Sequence, residues 1–318
     1  MNTHSTQDRE RVMAARPLVA LLIVLVVSVA PAAGRECADA PHPLKHRNPL
    51  LQQRLAGALG RAGMSDAVRN RTLAVALVDL SRPGEIYYAG LNDDHMMYAA
   101  SLPKIGILLA LTEALDRGEV AWDDSFRWRI TKMITISSNA DATWAAKLVG
   151  LRGIARVLRD PRYCLYDMQH GGVWVGRAFE KGGESYRDPL KAISHGASAR
   201  QVARFYVMLD RGELVSPHWS AWMRERMAPP EYFHKFVRAL RGRSGLRFLA
   251  RKSGTWQQFH SDSALIQHGS ARYILVGLAE HPEGEHLMEE LARIADDIVV
   301  TGRHRRWVAP PTAAGRNS

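Results

Sequence analysis

Three short patterns in this 318-residue chain carry residue types suited to acyl transfer, each pattern occurring once. The first is Ser101-Leu102-Pro103-Lys104, at the start of an apolar run that ends near Leu115. Three-residue spacing puts a hydroxyl and an amine on one helical face. A serine at a helix entry sits where free N–H groups favour developing negative charge. Serine is a weak nucleophile and needs a base. A lysine held among cations and apolar walls loses its charge readily enough to serve. The second pattern, Ser137-Ser138-Asn139, follows the apolar stretch Met133–Ile136 and precedes a helix predicted to start near Asp141. There Ser137 could relay a proton to a leaving nitrogen, and Asn139 could hydrogen-bond a substrate amide. The third, Lys252-Ser253-Gly254-Thr255, ends a predicted strand. It offers a cation, a second hydroxyl and a glycine beside which a substrate backbone could lie. The Thr255 N–H could pair with the Ser101 N–H as an oxyanion hole. Taken singly, the three read as helix caps and strand-end charge. Their order, each on the expected kind of element, is what points to one site.

The elements that must position them follow from periodicity. Leu50, Leu51, Leu55 and Leu59 recur at helical spacing, so residues 48–62 read as an amphipathic helix. Thr72–Leu80 and Ile86–Ala89 read as strands joined by the turn Ser81-Arg82-Pro83-Gly84, a hairpin. Pro103–Leu115 is a strongly apolar helix. Further helices are predicted over Ala142–Val149, Gly153–Leu158, Ala199–Leu209 and Trp219–Met227, with a long loop rich in glycine and polar residues over 165–197. Loops of that length are usually functional or mobile. Strands return at Leu246–Lys252, Asp262–His268 and Arg272–Ala279, and a helix over His286–Val300 closes the chain. This order predicts an antiparallel sheet flanked by helices, with a mostly helical lobe inserted.

Composition is that of an ordinary globular protein, 46% hydrophobic and 24% charged, with a formal charge of +11. The excess is arginine scattered along the chain. No basic run with interleaved aromatics occurs, so no nucleic-acid partner is expected. Thirteen histidines include no H-E-x-x-H and no paired Cys clusters, so neither metal nor organic cofactor is expected. At the N-terminus Arg9, Arg11 and Arg16 precede an apolar run from Leu18 to Ala30, followed by Ala32, Ala33 and Gly34. This reads as a signal peptide over residues 1–33, cut after Ala30 or Ala32, and hence as a periplasmic or secreted protein. An uncleaved inner-membrane anchor over Pro17–Gly34 is the other reading. Residues 34–46 read as a flexible leader and residues 304–318 as a tail. Two cysteines, Cys37 and Cys164, are free to pair under oxidising conditions, but spacing alone does not bring them together.

The three patterns in this order are the signature of class A β-lactamases and penicillin-binding proteins. The approach Asp93–Ser101, and Ser198–Val215 with Gln201, Leu209, Gly212 and Leu214, also resemble that superfamily. The resemblance covers about residues 48–300. It implies a two-lobed α/β serine β-lactamase-like fold over residues 47–303, its helical lobe spanning about 101–227. By matching position, it implies Ser101 as nucleophile and Lys104 as base or proton shuttle. Ser137 and Asn139 would line the opposite wall, and Lys252, Ser253 and Thr255 would bind the substrate carboxylate and oxyanion.

The departures concern the second half of the reaction. The family's β-lactamases carry E-x-x-L-N in the Ω-loop, whose Glu activates the deacylating water; the pattern does not occur here. Glu180 and Glu184 lie in the corresponding region and are candidates, or else solvated loop charges. Ser138 stands where S-D-N has Asp, and the Ser101–Ser137 segment is shorter than usual. No arginine matches the one some members use beyond the third motif; His260 is a possible substitute. The expectation is an exported, monomeric serine hydrolase opening β-lactams through a Ser101 acyl-enzyme. The alternatives are a D-alanyl-D-alanine peptidase acting on peptidoglycan stem peptides, and a non-hydrolytic penicillin-sensing or cell-wall-binding module.

Overall fold

The computed structural model describes Cys37, residues 42–228 and residues 230–302. The chain divides into two units, residues 1–34 and 35–318. Every described residue belongs to the second. The expected signal peptide or anchor, and the tail over 304–318, lie outside the described residues.

Helices α1 (Pro49–Arg61) and α2 (Ser65–Arg69) lead into β1 (Leu73–Asp79), β2 (Tyr87–Leu91) and the two-residue β3 (Met97–Tyr98). Then come α3 (Lys104–Asp116), α4 (Asp124–Thr135), α5 (Asn139–Val149) and α6 (Leu151–Leu158). Short strands follow: β4 (Tyr166–Asp167), β5 (Gly171–Gly172), β6 (Trp174–Val175) and β7 (His195–Ala197). Helices α7 (Ala199–Arg211), α8 (Pro217–Arg226) and α9 (Phe236–Leu240) precede β8 (Leu246–Trp256), β9 (Phe259–His268) and β10 (Ala271–Glu280). The chain returns in α10 (Gly284–Gly302).

The main sheet is antiparallel throughout, in the order β2-β1-β10-β9-β8. Successive strand residues face opposite sides, and here both sides are covered. Ala74, Ala76, Val78, Ile274 and Val276 pack with the helical lobe and α7. Leu73, Val75, Leu77, Tyr273 and Leu275 pack with α1, α9 and α10. That is why β1 reads as an unbroken apolar run rather than an alternating one. It also leaves β8 as an edge strand, open along one side. In the helical lobe, α3 is buried at every position from Lys104 to Leu115, as expected of a helix apolar all round.

The structure departs from the expected elements in three places. Helix α4 is not among the helices read from the sequence; Asp123 caps it, accepting a hydrogen bond from Phe126 N at 2.6 Å. The 165–197 stretch is not one open loop: β4 pairs with β5, and β6 with β7. Strand β7 also pairs with β3, which leads to Ser101. Strands of two or three residues are too short to show a period. The described part of the 34–46 leader is fastened down. Leu44 is fully buried, His42 Nε2 lies 3.4 Å from Gln201 Oε1, and Cys37 is disulfide-bonded to Cys164 with their Cα atoms 5.3 Å apart.

That cross-link closes a loop 127 residues long in sequence. Reducing it should lower the unfolding free energy by about 2–4 kcal/mol. Urea unfolding with and without dithiothreitol reads this directly; identical midpoints would show the bridge contributes nothing.

Candidate active site

Ser101 sits in the tight turn between β3 and α3, half-buried. The preceding Ala100 has a positive φ of 50°, unusual for a residue with a Cβ. Leu102 N donates to Ala99 O at 3.1 Å and Lys104 N to Ser101 O at 3.3 Å. The turn thus holds Ser101 one residue-triplet ahead of the helix that carries Lys104. Opposite lies the edge strand β8. A Cβ on Gly254 would collide with Ala99 O and lie 2.6 Å from Ser101 N and 2.7 Å from Ser261 Oγ. The glycine is therefore required by the protein's own backbone, which packs the strand against the Ser101 turn.

Strand β8 passes beside Ser101 at Gly254. Arg251 N donates outward, away from β9, to Met227 O at 3.0 Å. Backbone N–H groups alternate along an antiparallel strand, so Ser253 and Thr255 N–H point to the same open edge. Strand alternation thus leaves the Thr255 amide on the edge of β8 that is not paired with β9.

Lys104 has no exposed surface. Its Nζ donates to Ser137 O at 2.5 Å and Asn139 Oδ1 at 2.8 Å, with Ser137 Oγ at 3.3 Å. Burial lowers its pKa to about 7, opposed by the Asp141 carboxylate. A neutral amine has two hydrogens for the two short bonds and a lone pair left over. The amine is not within hydrogen-bonding distance of Ser101 Oγ among the described contacts; such bonds often tighten only around a substrate. Lys252, also buried, donates to Ser137 Oγ at 2.9 Å and Ser253 O at 2.7 Å. Burial, then the nearby Lys104 and Arg251 cations, push its pKa well down. Ser137 therefore stands between two lysines, held by an α4–α5 loop in which its own φ is 56°. Ser138 faces away from this chemistry: its Oγ caps α5, accepting from Asp141 N at 3.2 Å.

The two loop carboxylates are not brought to this cluster. Glu184 is exposed and lines a surface cleft beyond the C-terminal end of α3 with Arg117, Arg152 and Arg156. Glu180 is also exposed. Its backbone N and that of Phe179 donate to Thr143 Oγ1, each at 3.2 Å, which ties this stretch to α5. The side chain that reaches the site is Phe179. Its ring centroid lies 4.6 Å from Lys104 Nζ and 4.1 Å from the His195 ring.

His260 does not stand in for an arginine. It is buried and packs on α10, where a Cβ on Gly284 would lie 2.8 Å from its Cγ. Paired with Thr255 across the strands, it faces the helix-covered side of the sheet rather than the cleft. Two neighbours of β8 have no counterpart in the sequence reading. His234 Nε2 is 3.2 Å from Ser253 Oγ, and burial lowers its pKa to about 4. Lys235 is fully buried beneath Gly254 and Thr255. Neither belongs to a periodic pattern, and only the tertiary fold brings them to β8.

Residues 127–300, more than half of the chain, match a protein family described as "Beta-lactamase enzyme family". The match includes Ser137, Asn139 and Lys252–Thr255 and begins after Ser101 and Lys104. A β-lactamase from Sphaerobacter thermophilus DSM 20745 superposes with a TM-score of 0.60 at 18% identity, covering 81% of this chain and 99% of that one. The structure of PBP-A gives 0.61 at 18% identity, covering 82% and 99%. A representative class A β-lactamase from Bacteroides cellulosilyticus DSM 14838 gives 0.59 at 12%, covering 80% and 99%. No curated protein matches the chain. At these identities the likenesses show a shared fold, that of class A β-lactamases.

Replacing Gly254 by Ala should cost about 1–3 kcal/mol through overpacking against the Ser101 turn. Gly57→Ala in α1, where the nearest atom to a Cβ is the Arg61 side-chain end at 3.4 Å, should stabilise by about 0.5–1 kcal/mol. Denaturant unfolding of both variants tests the contrast; equal effects would contradict the close approach of β8 to Ser101.

Proposed function

The chain belongs to the β-lactamase enzyme family, and from that premise we propose that it is acylated on Ser101 by β-lactams and releases the ring-opened product by hydrolysis. The observation that carries the reading is the run Lys104 Nζ–Ser137 Oγ–Lys252 Nζ. A neutral Lys104 takes the proton from Ser101 Oγ as that oxygen bonds to the lactam carbonyl carbon. The carbonyl electron pair moves onto oxygen and is met by the Ser101 and Thr255 amides. The C–N bond then breaks, and Ser137 delivers a proton to the leaving nitrogen. Lys104, now an ammonium, replaces that proton through Ser137 Oγ, so the proton taken from Ser101 ends on the leaving nitrogen and no net charge is created. Asn139 keeps its amide donors for the substrate's own amide, its Oδ1 being taken by Lys104. Lys252 and Ser253 meet the substrate carboxylate.

Hydrolysis of the ester needs a second base. The exposed Glu180 and Glu184 are poorly suited to it, and Phe179 covers Lys104 where a water-activating carboxylate would be useful. This observation favours a second reading, in which β-lactam adducts persist and the natural reaction is cleavage of D-alanyl-D-alanine peptides in peptidoglycan. In either reading the enzyme acts as a monomer on a small acyl donor in the periplasm or outside the cell. The Cys37–Cys164 bridge supports that location, since such bridges persist in oxidising compartments.

Intact-mass spectrometry over time with benzylpenicillin tests the proposal. The chain should gain one penicillin mass, and Ser101→Ala should gain none; an adduct on that variant would refute the nucleophile. Glu180→Gln and Glu184→Gln should lose the adduct at the unmodified rate. An adduct trapped by either change would restore that carboxylate as the deacylating base.

A further inference from the structure

Lys235 has an environment that the acyl-transfer relay does not use. It begins the short path into α9 with a positive φ of 52°, and its side chain runs beneath the edge strand with no exposed surface. Nζ donates to Gly254 O at 2.6 Å, Thr255 Oγ1 at 2.8 Å and Ser261 O at 3.0 Å. Three acceptors match the three hydrogens of an ammonium. Among the described residues no carboxylate bonds to Nζ, so the charge is held by oxygen dipoles: the Ser261 carbonyl, the Thr255 hydroxyl and, at the shortest distance, the Gly254 carbonyl.

That carbonyl matters because of where it lies in the chain. Gly254 C=O and Thr255 N–H are the two ends of one peptide group. A cation bound to the oxygen draws density away from the nitrogen and makes its N–H a stronger donor, as hydrogen bonds in a chain polarise one another. The Thr255 N–H is the amide on the open edge beside Ser101. Resting on the acyl-enzyme reading above, we propose that Lys235 is a positioning residue for the Ser101 reaction: its ammonium, bound under the Gly254 carbonyl, fixes and polarises the Gly254–Thr255 peptide so that Thr255 N–H stabilises the oxyanion.

Two features separate this from a simple structural staple. The bond to Thr255 Oγ1 turns that side chain to the covered face, leaving its amide alone on the cleft edge. The charge is also conditional. Burial lowers the Lys235 pKa to about 8, opposed by Asp262, with Arg251 lowering it further and Glu285 raising it. Around it stand Asp262 and His260 on β9, Arg251 and Lys252 on β8, the adjacent His234, and Glu285 on α10. Below its pKa the ammonium is present and the peptide is polarised. Above it, a neutral amine still bonds but polarises far less.

The test is the rate of Ser101 acylation by benzylpenicillin, followed by mass spectrometry from about pH 6 to about pH 10, for wild type, Lys235→Met and Lys235→Arg. Near neutrality wild type should exceed Lys235→Met by about tenfold in the rate at saturating penicillin, with the half-saturating concentration little changed. That ratio should fall toward one above about pH 9, as the wild-type ammonium is lost. Titration of Lys104 is common to all three proteins; because the Lys235 charge also lowers the Lys252 pKa, Lys235→Arg, which keeps that charge, is the reference for the Lys252 titration. Lys235→Arg, charged throughout, should keep the neutral rate and lose the alkaline decline, and it carries the same test should Lys235→Met fold poorly. A ratio independent of pH, or no ratio at all, would reduce Lys235 to a structural role. A wild type that penicillin never acylates would instead overturn the acyl-enzyme reading on which the inference stands.

Discussion

Two lysine amines share one hydroxyl at the centre of this molecule. Lys104 is fully buried and Lys252 nearly so, and both reach Ser137 Oγ. Burying an ammonium is costly, and burying two side by side more so. The protein relieves this by lowering both pKa values and by surrounding the amines with carbonyl oxygens. The price is a site that must be held from every direction. Helix α3 fixes Lys104 because it is enclosed on all sides. Strand β8 fixes Lys252 because β9 pairs with it along its length. The α4–α5 loop carries Ser137 in a strained conformation anchored by the Ser138 cap.

The open edge of β8 is the complementary constraint. An edge strand is normally a liability, yet here one edge is used twice. One of its N–H groups, Arg251 N, bonds outward to Met227 O, and its glycine lets the Ser101 turn pack closely against it. Behind the strand, the buried Arg251–Asp262 pair, 2.8 Å apart, and the Arg251 contacts to Tyr232 O and His234 O hold the segment that delivers Lys235. Removing one partner of such a pair leaves an uncompensated charge. The arrangement therefore links the acyl-transfer face of the sheet to its helix-covered face through a few polar groups.

Much of this was legible in the chain. Each of the three motifs falls on its expected element, because each rests on local signals: an apolar run after Ser101, a cap near Ser138, a strand before Lys252. The five main strands and the long helices follow from apolar runs bounded by turn residues. What was not legible depends on contacts between distant segments. Phe179 covers Lys104 only because Thr143 anchors its backbone. Glu184 lines a surface cleft with Arg117, Arg152 and Arg156, and no spacing encodes that. His260 alternates onto the covered face through its register with Thr255. The Cys37–Cys164 bridge needs both ends of a long loop to meet, and Leu44 joins a core cluster whose other members lie far along the chain.

The central claim is that Lys104 is an amine poised to be neutral near physiological pH. An NMR titration of the lysine side-chain amines, with the Lys104 signal assigned through Lys104→Met, tests it most directly. The account requires a transition near about pH 7 for that signal, far below the ordinary lysine value of about 10.4. A Lys104 that titrates with the exposed lysines would be a permanent cation, and the proton path from Ser101 would have to start elsewhere.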